Sequence, residues 1–200
     1  MAGPNREGRK MPSIPMDSVS DLLLLILYAN TRQHGRSTLA GTTRLQKLLF
    51  LLTQTAAYEK LVDQRESPSV EFQPYRMGPF SASLYDAVEL LANFNPPLIS
   101  ATPAQPGSPD QTELQRYIDE VDLDRSWPSG PRPATYSLSP EGKRLAEMLW
   151  GAAAPQLRDS VATTVKEFGA MPIRELLRHV YSEFPDMTER SEIKRELGLG

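Results

Sequence analysis

Leucine and other apolar residues recur along this chain at helical intervals, broken by short extended runs and by proline clusters. Ser18 precedes the first apolar run with Asp21 three positions on, a capping-box spacing, so a helix is predicted from there to about Thr31. Its "LLLLILYA" segment, Leu22 to Ala29, is apolar on several sides and places this helix at the centre of the fold. "RQHGRSTLAGTT" reads as a loop, with His34 in it. Leu45, Leu48, Leu49 and Leu52 then fall at i, i+3, i+4 and i+7, one face of a helix that runs on through "TQTAAYEKL". Arg44, Gln46 and Lys47 lie off that face. "SVEFQPY" alternates as a short strand does, and Gly78-Pro79 turns the chain. Ser81 is the predicted N-cap of a helix carrying Leu84, Ala87, Val88 and Leu91, which Pro96-Pro97 stops near Asn95.

"PLISA" and "TYSLS" read as strands on either side of an acidic, Pro-rich insertion, residues 102–134. Within it Leu114, Tyr117, Ile118 and Val121 keep helical spacing and predict a short embedded helix. "PEG" turns into a helix with Leu145, Met148 and Leu149 as its apolar face. Leu157, Val161 and Phe168 mark another helix, stopped at Gly169, and Pro172 suits the first turn of the next. That helix carries a stripe of Leu176, Leu177, Val180, Tyr181 and Phe184, and "TERSEIKREL" predicts a last short helix. The organisation expected is a flexible tail over residues 1–16, a domain over 17–151 and a C-terminal helical extension over 152–200.

The fold class expected is mainly α with a small β wing. Helix, helix, extended arm, helix, strand, loop, strand, helix is the order of a winged-helix domain, and "YSLSPEGKRLAE" resembles the second wing strand and following helix of bacterial winged-helix regulators. Three blocks, "GTTRLQKLLFLL", "FQPYRMGPFSASLYDAVELL" and "YSLSPEG", resemble the antitoxin SocA-like family, also called the Panacea domain. The matching residues are Arg44 to Leu52, Phe72 to Leu91 and Tyr136 to Gly142, under half the chain, with Met77 where members often carry an aromatic. The resemblance implies a domain that neutralises a toxin by binding it.

Composition narrows the picture. The chain is 40% hydrophobic and 24% charged, ordinary for a globular protein. It has no cysteine, which removes disulfides, thiolate metal sites and a cysteine nucleophile. The apolar run after Arg6, Arg9 and Lys10 is far short of the roughly 20 residues that span a bilayer, and Glu7, Asp17 and Asp21 spoil a signal-peptide pattern. The expectation is a cytoplasmic protein with no membrane contact. Net charge is −3, against the basic excess usual for a nucleic-acid binder.

Charge also separates the two functional readings. The reading helix, Ser81 to Asn95, carries Asp86 and Glu89 and no lysine or arginine. In the wing, Asp110, Glu113, Asp119, Glu120, Asp122 and Asp124 face Arg116 alone, a sign that phosphate repels. The winged-helix scaffold is therefore read as serving protein contact, with a DNA-binding transcriptional regulator as the alternative. The insertion is either a solvated loop or a negative lure for a basic partner.

The partner-binding candidates are Arg44, Lys47, Tyr75, Arg76, Gly78, Pro79, Ser81 and Tyr85. The first four are expected to line one shallow polar patch beside the Gly-Pro corner. In the plainer reading Gly78-Pro79 only redirects the chain, Phe72, Tyr75 and Phe80 pack, and Lys47 is solvated. No catalytic, metal-ligand or phosphate-loop spacing is present, so no enzyme, cofactor or metal is expected. The C-terminal helices are open to packing on the domain, forming a homodimer or holding the partner.

Overall fold

The computed structural model describes residues 16–35, 37–103 and 133–199. Helix α1, Val19–His34, buries Leu22 through Asn30 on all sides and lies at the centre of the molecule. Its capping box is formed: the Ser18 hydroxyl accepts the Asp21 N–H at 3.2 Å, and the Asp21 carboxylate accepts the Ser18 N–H at 3.1 Å. The helix runs one turn past the predicted end. His34 is therefore helical, not in a loop, with Nε2 2.9 Å from the Val165 carbonyl.

The predicted loop after α1 contains strand β1, Thr38–Ala40. Its one buried side chain, Leu39, is too little for alternation to reveal. Helix α2, Thr42–Thr53, and helix α3, Ala56–Asp63, replace the single predicted helix. The break falls at Thr55, whose hydroxyl caps α3 by accepting the Tyr58 N–H and donates back to the Leu52 carbonyl.

Strands β2, Gln73–Tyr75, and β3, Gly78–Phe80, pair antiparallel with Tyr75 opposite Gly78. The hairpin turn is thus Arg76-Met77, and Gly78-Pro79 lies in β3 instead of forming the turn. Helix α4 follows, Ala82–Asn93, burying Leu84, Ala87, Val88 and Leu91 as predicted.

Strands β4, Ile99–Pro103, and β5, Pro133–Leu138, join β1 in an antiparallel sheet of order β1-β5-β4, with Leu39 opposite Tyr136 and Ile99 opposite Leu138. The two ends of the predicted insertion are therefore strand; its interior and the embedded helix at Leu114 to Val121 lie outside the described residues. The chain is mainly α with a small antiparallel sheet, in winged-helix order. The stretch between α2 and α4, which a helix-turn-helix keeps to a few residues, is here occupied by α3 and the β2–β3 hairpin.

Helix α5, Pro140–Ala152, is capped by Ser139, whose hydroxyl accepts the Gly142 N–H at 2.9 Å and donates to the Pro97 carbonyl at 2.6 Å. Gly142 is required here, because a Cβ would lie 1.8 Å from the Leu98 carbonyl oxygen. The fully buried positions of α5 are Gly142 and Ala146; Leu145 and Leu149 are half-buried, and Met148, predicted to face the core, points to solvent. Helices α6, Pro155–Phe168, and α7, Ile173–Glu183, pack on α1 and α2 and complete one contiguous hydrophobic core.

The last predicted helix, over "TERSEIKREL", is not formed. A 3₁₀ turn, Pro185–Thr188, leads into turns that bury Ile193 and Leu197. Backbone groups there go to tertiary partners: the Glu192 N–H donates to the Arg76 carbonyl, and Arg174 and Arg178 donate to the Glu196 and Leu197 carbonyls. No helix among the described residues is long and apolar enough to cross a membrane.

Candidate functional site

The Gly-Pro corner is where most of the predicted site residues meet. Gly78 has φ +82°, and a Cβ on it would lie 3.0 Å from Cε2 of Tyr181. Glycine is needed both for the left-handed backbone and for the close approach of α7. Lys47 reaches from α2 beneath β3 and donates to the Pro79 carbonyl at 2.9 Å. It is 2% exposed, and burial pulls its amine down to about 7. Its neighbour Gln46 holds the backbone of Ser81 on both sides, donating to the carbonyl at 2.9 Å and accepting the N–H at 3.0 Å. Ser81 stands at the N-cap position of α4, but its hydroxyl pairs with that of Ser83 instead of capping the helix.

Arg44 donates through Nη1 to the carbonyls of Phe168, Gly169 and Met171 and through Nε to that of Ala40. It places a cation at the C-terminal end of α6, where the helix dipole favours one. Arg76 pairs with Glu192 at 3.2 Å. Behind it the Tyr181 hydroxyl lies 2.6 Å from Ser191 Oγ, and burial pushes its pKa up to about 12.

The predicted polar patch is therefore not formed as one surface. Lys47 and Gln46, placed off the leucine face of α2, are buried where β3 and the start of α4 lie over that second side, Lys47 bonded to Pro79 and Gln46 to Ser81. Lys47 meets neither the Tyr75 ring nor a solvated surface; its bond is to a backbone carbonyl. Arg44 and Arg76 join α6 and the C-terminal turns to the domain. Tyr75 keeps a half-buried ring, 4.9 Å from Phe80, and Phe80 continues at 5.4 Å to Tyr85 on α4. The corner is mainly structural, while this aromatic row leads from it onto α4.

The outward face of α4 is accessible. Ala82, Asp86, Leu90 and Asn93 are exposed along it, Glu89 is half-buried, and Phe94 follows at its end. Leu90 is 57% and Phe94 51% exposed. Neither is among the eight residues expected at the site. Their signal was their place: both fall off the Leu84–Ala87–Val88–Leu91 stripe and stand four residues apart. Elsewhere a cleft of about 300 Å³ lies between α2, α3 and the approach to β2, lined by Thr53, Tyr58, Glu59, Asp63 and Val70. The Tyr58 hydroxyl there donates to the Pro68 carbonyl, and burial raises its pKa further from neutrality.

Fold and surface together describe a winged-helix-like domain whose helix α4 presents carboxylates and apolar side chains. No family model matches the chain. It is similar to a UPF0502 protein of Geotalea uraniireducens (strain Rf4), 36% identical over 76 residues that cover 36% of this chain and 35% of the relative. The chain matches about a third of that relative's length.

Proposed function

We propose that the chain is a protein-binding module of antitoxin type, which neutralises a protein toxin by holding it. The observation that carries this reading is the charge of α4. In a winged-helix domain that helix enters the major groove among phosphates. Here residues 82–94 hold Asp86 and Glu89 and no cation, so docking on a duplex is opposed by the backbone charge. The resemblance of the Arg44–Leu52, Phe72–Leu91 and Tyr136–Gly142 blocks to the SocA-like family supports the toxin as partner. A DNA-binding regulator is the second reading, favoured by the β1-β5-β4 sheet order beside α2 and α4.

Two measurements decide between them. The full chain is co-expressed with the product of the adjacent reading frame, and growth and complex formation are followed. A gel shift with upstream duplex is run at physiological salt. A toxic neighbour rescued through a stable complex supports neutralisation. Nanomolar, site-selective duplex binding at that salt, with no complex formed, overturns it.

A further inference from the structure

We propose that the outward face of α4 docks a basic amphipathic helix of the partner protein, with Leu90 and Phe94 against its apolar stripe and Asp86 and Glu89 meeting its cations. This rests on the protein-binding reading and names the surface and the chemistry it recognises.

Two large apolar side chains, 57% and 51% exposed, stand one turn apart at the end of one helix. The other exposed large hydrophobics among the described residues are Met148, on α5, and Leu199, less exposed at 40% and near the C-terminus. Helix α4 already buries Leu84, Ala87, Val88 and Leu91 in the core, so Leu90 and Phe94 are not needed to fold it. Asp86 lies one turn before Leu90, Glu89 beside it, and no lysine or arginine occurs between residues 82 and 94. An apolar pair edged by one sign of charge selects a partner with the opposite sign. Two copies of this chain meeting through α4 would set carboxylates against carboxylates, and a nucleic acid would be repelled in the same way. An amphipathic helix laid along α4 matches its two kinds of side chain, apolar and acidic.

The probe is a fluorescent synthetic helix of leucine and lysine, compared with the same peptide carrying glutamate for lysine, in anisotropy titrations against the full chain. The lysine peptide is expected to bind and to weaken as salt rises, and the glutamate peptide to fail. Leu90→Asp with Phe94→Asp should lower affinity about tenfold or more, and Asp86→Lys by a smaller factor that vanishes at high salt. Helical circular dichroism should stay unchanged in both variants, since these side chains face solvent. The proposal is overturned by any of four results: no binding of the lysine peptide, equal binding by the Leu90/Phe94 variant, binding that appears only after residues 2–15 with Arg6, Arg9 and Lys10 are deleted, or concentration-dependent dimers that the variant abolishes. The third result makes the chain's own N-terminal segment the occupant; the fourth makes it a second copy. If the adjacent-frame toxin still binds the Leu90/Phe94 variant at full strength, docking on α4 fails while the antitoxin reading stands. Loss of all toxin binding by the wild-type chain fails that reading itself.

Discussion

Replacing Lys47 with methionine keeps the length of the side chain and removes its amine from beneath the β2–β3 hairpin. The amine titrates at 10.5 when solvated and at about 7 in the fold, because burial disfavours its charged form. The folded amine holds its proton more weakly, so unfolding takes up a proton between those values, and stability rises with pH across that window by up to ~1.4 kcal/mol per unit. Above the upper value the amine is neutral in both states and costs nothing. Below the lower value it is charged in both, and the cost is complete, on the order of 5 kcal/mol. Methionine escapes this cost but leaves the Pro79 carbonyl without its donor, a loss of about 1–3 kcal/mol. Lys47→Met should therefore exceed the wild type in stability by about 3 kcal/mol near pH ~6.5 and approach parity near pH ~9. Urea unfolding of both proteins across this range, followed by circular dichroism, measures the difference. Every other titrating group is common to the two and cancels, and Tyr181, pushed up to about 12, titrates above the window. A difference that does not change with pH, or a variant weaker than the wild type at the acid end, refutes the account of Lys47 as a charge held out of water.

Two further substitutions test the corner. Gln46→Leu removes the side chain that holds both the N–H and the C=O of buried Ser81, and should cost about 2–4 kcal/mol in chemical denaturation; an unmoved midpoint would mean the clamp carries nothing. Arg76→Ala breaks a pair whose side chains are 29% and 47% exposed, so its cost should stay within about 1 kcal/mol, and a larger loss would mark a tighter tie to the C-terminal turns than the pair provides.

The periodic text of the chain was enough for the helical framework. The buried faces of α1, of α4 and of α2's leucine row follow from 3.6-residue spacing, and the capping box at Ser18–Asp21 from two residue types at the right interval. The winged-helix order, with its β4 and β5 strands, was also legible, because element order is a local property. The sign of α4 needed only residue identities. Strand β1 was missed because three residues with one apolar side chain carry no period, and the pairing that defines them lies about a hundred residues away in β5. The burial of Lys47 and Gln46 was not legible because a helix pattern shows which side is apolar, not whether a later segment covers the other. The turns at residues 189–197 replaced a predicted helix because their backbone groups found partners on Arg76, Arg174 and Arg178. Only the tertiary structure laid β3 over Lys47, brought the end of α6 to Arg44 and set the C-terminal turns against Arg76, and those contacts turned an expected patch into interior joints. The physical reason is that burial and hydrogen-bond partnership are long-range quantities, set by what packs alongside, whereas spacing, capping and charge are written within a few residues of one another.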